Sequence, residues 1–178
     1  MQIPLSFKLS PFTSKTAFCF LFFVLSFTIG CGINPDLQGK GEVYLQGEWQ
    51  QDSLPMQKKL LDYSIYHLKF NCDSFYMQIN SFSKVNNGAD TCMNSGRWTE
   101  YVKGSYQQRN DTLHLRGQFC NANYSLKNEG GCFRSGIYQE FFKVSKKTDS
   151  LVQFSSISNV IPINAHLIKR STCNPKPL

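Results

Sequence analysis

The sequence predicts an all-β protein: a single eight-stranded up-and-down antiparallel barrel that follows a cleaved N-terminal export signal. Three observations support this prediction. From Val43 onward, short runs of β-favouring residues are separated by turn residues, and helical patterns are scarce. Several runs alternate apolar and polar side chains, which is typical of a strand with one buried face. The connections between the runs alternate between short and long, so the two kinds fall at opposite ends of the array.

The first thirty residues have the composition of an export signal. Lys8 and Lys15 supply positive charge, and an uninterrupted apolar run extends from Ala17 to Gly30. This run is shorter than the about 20 residues that a membrane-spanning helix needs. A polar stretch follows it, so we interpret residues 1–30 as a targeting segment and exclude them from the fold.

The junction after Gly30 resembles the lipobox of bacterial lipoproteins, with small or β-branched residues before Cys31 and Thr28 where the family usually has Leu. This resemblance implies that the Cys31 thiol receives a diacylglyceryl group, that the chain is cut before it, and that the new N-terminus is acylated. Two or three acyl chains, at about 0.8 kcal/mol per buried methylene, give a permanent anchor. An ordinary cleaved signal and an uncleaved anchor are the alternatives.

Cleavage before Cys31 leaves 148 of the 178 residues, enough for one domain with a sizeable core. Seventeen basic residues then stand against twelve acidic ones, a net charge near +5. The densest basic spots, Lys58-Lys59 and Lys146-Lys147, are too sparse for a nucleic-acid surface. We therefore expect solvated surface charges and no nucleic-acid partner.

The mature chain divides into a flexible tether over residues 31–41, rich in Gly, Asn, Pro and Gln, and one barrel domain over residues 42–178. A short helical turn is predicted over Pro55–Asp62, because Pro is tolerated at an early helical position. The eight predicted strands are Val43–Asp52, Ser64–Asn71, Ser74–Phe82, Arg97–Gln108, Asp111–Phe119, Phe133–Ser145, Ser150–Ser158 and Asn164–Arg170.

The connections define two ends of the predicted barrel. Tight turns join strands 2–3, 4–5 and 6–7, and we call this end the base. Longer loops join strands 1–2, 3–4, 5–6 and 7–8 through Ser53–Tyr63, Ser83–Gly96, Cys120–Cys132 and Asn159–Ile163, and we call this end the mouth. Closure of the eight strands into a barrel removes the exposed sheet edges.

The same alternation sorts the cysteines, which are expected to form disulfides in an oxidising compartment. Cys72 and Cys173 fall at the base, whereas Cys92, Cys120 and Cys132 fall at the mouth. A nine-residue strand spans about 30 Å, far more than the about 7 Å between Cα atoms that a disulfide tolerates. We therefore predict a Cys72–Cys173 bridge and a second bridge between two of the three mouth cysteines, with the choice among them left open.

The order of several motifs resembles the lipocalin family. Gly47-Glu48-Trp49 is similar to the family's Gly-x-Trp signature, and Gly104–Tyr106 followed by Asn110–Leu115 resembles the strand–turn–strand of lipocalin-like bacterial lipoproteins. The resemblance implies a calycin-type barrel in which Gly47 and Trp49 form the base motif. The late Arg–Trp packing signature of many lipocalins is missing as a motif, although Arg170 is positioned for it.

The chain also resembles a group of small bacterial lipoproteins sometimes labelled fumarate hydratase, through Cys72–Tyr76, Trp98–Tyr101 and Gly131–Arg134. Hydration of fumarate needs an acid, a base and a site for two carboxylates, or an iron–sulfur Lewis acid. The sequence carries no pattern of that kind. We keep a lyase as the alternative function and expect a protein without catalytic role, cofactor or metal.

The function expected from the sequence is therefore that of a membrane-tethered lipocalin-like lipoprotein of the bacterial envelope, with the outer membrane as the expected location. Two uses remain open, namely binding of a small apolar ligand inside the barrel and contact with a partner protein through the mouth loops. Three acidic residues that could form a pair, Glu48, Asp52 and Glu100, are expected to be surface charges.

Overall fold

The computed structural model describes residues 37–85, 90–127, 132–157 and 161–177. Its eight strands form a closed barrel in which each strand pairs with its neighbours in chain order and β1 pairs with β8. Every pairing is antiparallel, so the predicted up-and-down barrel is confirmed. The strands are β1 (Gly47–Gln51), β2 (Asp62–Asn71), β3 (Ser74–Ser83), β4 (Arg97–Arg109), β5 (Thr112–Cys120), β6 (Ile137–Thr148), β7 (Leu151–Ser156) and β8 (Ile163–Arg170).

Helical structure in the described chain is confined to short pieces. The helix α1 spans Asp90–Met93, and 3₁₀ turns occupy Val43–Leu45, Gln57–Lys59 and Asn94–Gly96. The helical turn predicted over Pro55–Asp62 is thus reduced to three residues. The first predicted strand also began too early, because Val43–Leu45 coils across the base and inserts the fully buried Leu45 below the barrel.

The core lies inside the barrel and follows the predicted alternation. In β5, Leu113, Leu115 and Phe119 are buried while Arg116 and Gln118 face outward and are exposed. The largest fully buried side chains are Trp49, Phe70, Phe75 and Phe154, which lie together with Leu and Val side chains in one cluster. Burial of these side chains on the inner face fixes the register of every strand, since a one-residue slip would turn all of them outward.

Candidate functional site: the barrel mouth

A cavity of about 630 Å³ opens at the mouth, between the ends of β1, β2, β3 and β8. We call it the mouth cavity. One part of its lining is apolar and comes from the loops and from inward-facing strand positions, including Leu54, Met93, Trp98, Ile161 and Ile163. A space of this size is within the range of small-molecule sites in proteins, about 300–1,000 Å³.

The floor below the mouth cavity is packed. The space enclosed among Leu68, Phe70, Met77, Leu113 and Phe154 measures only about 10 Å³, which is at the limit of what one water needs. The rings of Phe70 and Phe154 stack across the barrel at 6.4 Å between centroids. The lower barrel is therefore filled by its own side chains, and space for a ligand begins above this layer.

The wall of the mouth cavity carries hydroxyl and amide groups that face inward. Ser64 and Ser81 lie on neighbouring strands and share a hydrogen bond of 2.8 Å between their Oγ atoms. Gln51 Oε1 accepts a hydrogen bond of 3.0 Å from the backbone N–H of Tyr66. Ser83 Oγ donates to the Val85 carbonyl at 2.8 Å. These groups can both donate and accept, so they suit a ligand that has an uncharged polar part.

The described lining of the mouth cavity carries a negative charge. Asp62 is the one charged residue among the described residues that line the mouth cavity. Burial raises the pKa of the Tyr66 hydroxyl, so this lining residue stays uncharged at neutral pH. The described lining of the mouth cavity therefore offers no positive group to a carboxylate or phosphate and offers one negative group to a cation.

An ion pair between the buried Glu100 on the inner face of β4 and the exposed Arg134 stands beside the mouth cavity. Only 6% of the Glu100 side chain is exposed, and Arg134 Nη2 lies 2.7 Å from Glu100 Oε2. Arg134 Nε and the Arg134 backbone N–H also donate to Glu100 Oε1, at 3.0 and 3.2 Å. The hydrogen bonds that the guanidinium donates to the Glu100 carboxylate raise the pKa of Arg134. The guanidinium is thereby held in place over the ring of Phe119, at 4.7 Å from the centroid.

Three consecutive residues of the β5–β6 loop attach that loop to the neighbouring β3–β4 connection and to the start of β4. Cys132 is bridged to Cys92 of α1. Phe133 stacks on Trp98 with 5.0 Å between ring centroids and 10° between planes. Arg134 pairs with Glu100, as described above. We call Cys132–Arg134 the loop clip, since disulfide, ring contact and ion pair together hold one edge of the mouth in a fixed shape.

The loop clip settles the second disulfide, which the sequence left open, and corrects the predicted start of the sixth strand. The second disulfide joins Cys92 to Cys132, and Cys120 keeps a free, buried thiol. The sixth strand was predicted to start at Phe133, but Phe133 has a positive φ of 63° and β6 starts only at Ile137. The residues of the loop clip are taken up by cross-loop contacts, and so they cannot pair with β5.

The lipocalin-like motif lies at the opposite end, in the base. Trp49 is fully buried and its Nε1–H donates to the Leu45 carbonyl at 2.7 Å. Arg170 lies over the Trp49 ring, with its Cζ atom 5.5 Å from the centroid, and donates to the carbonyls of Tyr44 and Asp149. Gly47 has φ +140°, and a Cβ there would stand 2.3 Å from the Lys169 carbonyl oxygen. The Arg–Trp packing that was missing as a sequence motif is thus present in space.

The base also holds both ends of the described chain. Cys72 and Cys173 form a disulfide, with 4.7 Å between their Cα atoms, which is the pair selected by strand alternation. Leu37 and Pro177 form an isolated bridge, Gln38 N–H donates to the Lys176 carbonyl at 2.9 Å, and Gly39 N–H donates to Asp73 Oδ2 at 2.9 Å. The described part of the predicted tether therefore lies against the base.

The predicted export signal and the predicted lipidation residue Cys31 lie outside the described residues. Within the part of the chain that the structure covers, no helix has the length and apolar character needed to cross a membrane. The same residues contain no group of three or more His, Cys, Asp or Glu side chains that could hold a metal ion.

Of the three acidic residues expected at the surface, Glu48 and Asp52 are partly exposed and pair with Lys69 and His166. The expectation was wrong for Glu100, which is buried. A signal was available, because Trp98, Glu100 and Val102 share the inward-facing parity of β4. What the sequence could not supply was the distant Arg134 that compensates the buried carboxylate.

Comparison with known proteins found no matching family model, no matching curated protein and no matching solved structure. The fold and the side-chain geometry of the mouth are therefore the basis for the functional argument.

Proposed function

We propose that this chain is a membrane-tethered, lipocalin-like binding protein of the bacterial envelope that holds a small amphipathic molecule in the mouth cavity. The observation that carries the proposal is a cavity of about 630 Å³ that opens above a packed layer of core side chains. An eight-stranded barrel has an interior that side chains can fill. Here they fill the lower part and leave the upper part open, which is the arrangement of a shallow binding site.

The chemistry of the lining selects among amphipathic ligands. Apolar contact comes from Trp98, Ile161 and Ile163, and hydrogen bonds are available from Gln51 and the serine hydroxyls. Since Asp62 is the charged lining residue, an anionic head group would meet a like charge, whereas a neutral or cationic head group would not. The proposed ligand is therefore an apolar body with an uncharged or cationic polar end.

The test uses three fluorescent alkyl probes that share one chain and differ in their head group, which is a carboxylate, a carboxamide or a trimethylammonium. We expect saturable binding of the carboxamide and trimethylammonium probes, with the carboxylate probe at least about fivefold weaker, corresponding to about 1 kcal/mol of charge repulsion. Asp62→Asn should remove the difference between the two charged probes. Preference for the carboxylate probe would exclude the ligand class proposed here.

A matched pair of substitutions places the site. Ser81→Leu introduces an isobutyl group into the mouth cavity and should weaken probe binding about tenfold or more through lost volume. Ser105→Leu makes the same change on β4 at an exposed position, and should leave probe affinity unchanged. Equal losses in both variants, or no loss in Ser81→Leu, would show that the probe binds elsewhere.

The membrane attachment is a separate part of the proposal and rests on the lipobox-like sequence before Cys31. Growth with a labelled fatty acid should give a labelled, membrane-associated protein. Cys31→Ala should abolish the label and leave an exported protein that is soluble or uncleaved. Label retained in the Cys31→Ala protein would exclude Cys31 as the acylated residue.

Contact with a partner protein through the mouth is a second candidate, and the rim of the mouth favours it. Several large apolar side chains are exposed there, with Ile157 exposed by 89%, Met56 by 69% and Leu61 by 63%. A photo-crosslinking residue at position 61 or 157 should then yield a defined adduct in intact cells. The same residue at Ile168, which is 62% exposed on the barrel wall, is the matched control. Adducts of equal yield from all three positions would remove the mouth as the partner surface.

The lyase alternative makes a different demand on the same region. A site for fumarate would need cationic or hydrogen-bonding groups that hold two carboxylates, whereas the described lining of the mouth cavity contributes a carboxylate of its own. The guanidinium of Arg134 is already engaged by Glu100. Purified protein should therefore show no turnover of fumarate, and turnover that is lost in Arg134→Gln would favour the lyase over the binding protein.

A further inference from the structure

The net positive charge of the mature chain is concentrated at the base. The residues that form the base (37–46, 72–73, 109–111, 143–150 and 169–177) include eight basic and four acidic side chains. The described residues around the mouth (52–62, 84–85, 90–100, 121–127, 132–140, 157 and 161–162) include six basic and five acidic side chains. The described barrel is therefore polarised along its axis, with a basic base and a nearly balanced mouth.

Several basic side chains of the base are available to an outside partner. Lys143 and Lys146 are already paired with Asp111 and Asp149. In the described structure the exposed Lys40, Arg109, Lys147, Lys169 and Lys176 make no ion pair. The remaining basic residue, Arg170, is held by backbone carbonyls and the Trp49 ring. The base thus presents mostly cations whose charge is not cancelled locally.

Apolar side chains are exposed among these cations. Val43 is 82% exposed on the 3₁₀ turn that crosses the base, and Leu37 is 40% exposed where the chain first contacts it. Surfaces that bind at a membrane interface combine exposed apolar side chains with Lys side chains. The apolar groups insert, and the ammonium groups contact headgroup phosphates.

The position of Leu37 limits how far the base can stand from a membrane. Leu37 is bridged to Pro177, and the next two residues are hydrogen-bonded to the base. Six peptide units separate Cys31 from Leu37, and consecutive Cα atoms are about 3.8 Å apart, so the chain between them spans at most about 20 Å. This step rests on the proposed acylation of Cys31. With that anchor, the base is kept within about two and a half Debye lengths of the headgroups at physiological salt.

We propose that the base is a docking surface for anionic phospholipid headgroups, which it contacts through Lys40, Lys147, Lys169, Lys176 and the exposed Val43. The barrel then stands on the membrane by its base, and the mouth cavity opens away from the surface. The lipid anchor sets the distance and the base sets the orientation.

The test is sedimentation with vesicles made from equal parts of phosphatidylglycerol and phosphatidylethanolamine, and with vesicles of phosphatidylethanolamine and phosphatidylcholine as the uncharged reference. The protein used comprises residues 32–178, since the closed barrel, its core and both disulfides are complete within residues 37–177. We expect adsorption to the anionic vesicles that weakens as salt is raised.

Two triple variants of equal charge change supply the matched control. Lys40→Glu, Lys147→Glu and Lys176→Glu together should weaken adsorption to the anionic vesicles by more than about tenfold, because each Lys near an anionic surface contributes separately. Lys58→Glu, Lys59→Glu and Lys84→Glu at the mouth should leave it within about threefold of the unchanged protein. A third variant carries Lys→Gln at the same three base positions and controls for a folding defect. Its denaturation midpoint should equal that of the unchanged protein.

Equal adsorption to charged and uncharged vesicles, or equal losses in the base and mouth variants, would overturn the docking surface. The result is independent of the anchor, because the tested protein lacks Cys31. Adsorption through the base together with absent acylation would leave the docking surface intact and remove the proposed anchor. Acylation without adsorption would leave the proposed anchor intact and remove the docking surface.

Discussion

The two ends of this barrel use the same backbone for different purposes. Along β3 the inward-facing residues run from Phe75 and Met77 through Ile79 to Ser81 and Ser83, so one strand passes from closed core to cavity wall. Strand alternation is unbroken over this length, and only the chemistry of the inward residue changes. The comparison teaches that barrel closure and the mouth cavity are specified separately, by which residues occupy successive inward positions.

The polar side chains at the two ends also differ in their hydrogen bonding. At the base, Gln46 is buried and its side chain bonds the backbone of Cys72 in both directions, at 2.7 and 2.8 Å, and donates to Tyr106 at 3.0 Å. Such a network stabilises one arrangement because each group already has its partner. At the mouth, Ser64 and Ser81 bond each other and still face open space. Polar side chains therefore lock the base, whereas at the mouth they form part of the cavity wall.

The largest expected change in stability comes from removing the disulfides, one at the base and one at the mouth. Replacement of Cys72 and Cys173 by Ser opens a crosslink between residues 101 positions apart, which costs about 4–5 kcal/mol in the chain-entropy model. Probe affinity at the mouth should remain unchanged at temperatures where this variant is folded. Replacement of Cys92 and Cys132 should cost about 4 kcal/mol and should also weaken probe binding, because it releases the loop clip. Denaturant unfolding and probe titration on both variants give the comparison, and a base variant that loses probe affinity while folded would contradict it.

The next effect concerns the two tryptophans. Trp49→Ala removes a fully buried ring from the base and should lower the free energy of unfolding by about 3–5 kcal/mol. Trp98→Ala removes a partly exposed ring that stacks on Phe133, so a smaller loss of about 1 kcal/mol is expected together with weaker probe binding. The two denaturation midpoints provide the check. If Trp98→Ala lost more stability than Trp49→Ala, the assignment of Trp49 to the core and of Trp98 to the cavity wall would be wrong.

A third prediction tests the ion pair beside the mouth cavity. Arg134→Lys keeps the charge but loses the paired hydrogen bonds to Glu100, and should cost about 1–2 kcal/mol. Arg134→Met leaves the buried carboxylate unpaired and should cost more than Arg134→Lys. The unfolding free energies of the two variants are to be compared at neutral pH. Equal stability of Arg134→Met and the unchanged protein would show that the pair does not hold the loop.

The strands, their order and the division into two ends could be predicted because they depend on local pattern. Period-two alternation and turn residues are properties of neighbouring positions, and even the Cys72–Cys173 pair followed from counting strands. The contacts of Arg134 with Glu100 and of Phe133 with Trp98 join residues 34 and 35 positions apart, and no local pattern records them. The loop clip, the shape of the mouth cavity and the pairing of the buried Glu100 with Arg134 therefore required the structure.

The proposal that a small amphipathic ligand binds in the mouth cavity is tested most directly by mapping a bound probe on the protein. Backbone amide NMR spectra are to be recorded while the carboxamide probe is titrated into ¹⁵N-labelled protein. The account predicts chemical-shift changes at Gln51, Ser64, Ser81, Trp98 and Ile163, with the amides of Trp49, Phe70 and Cys72 unchanged. Shifts centred on the base or the outer barrel wall, with the mouth amides unmoved, would contradict it.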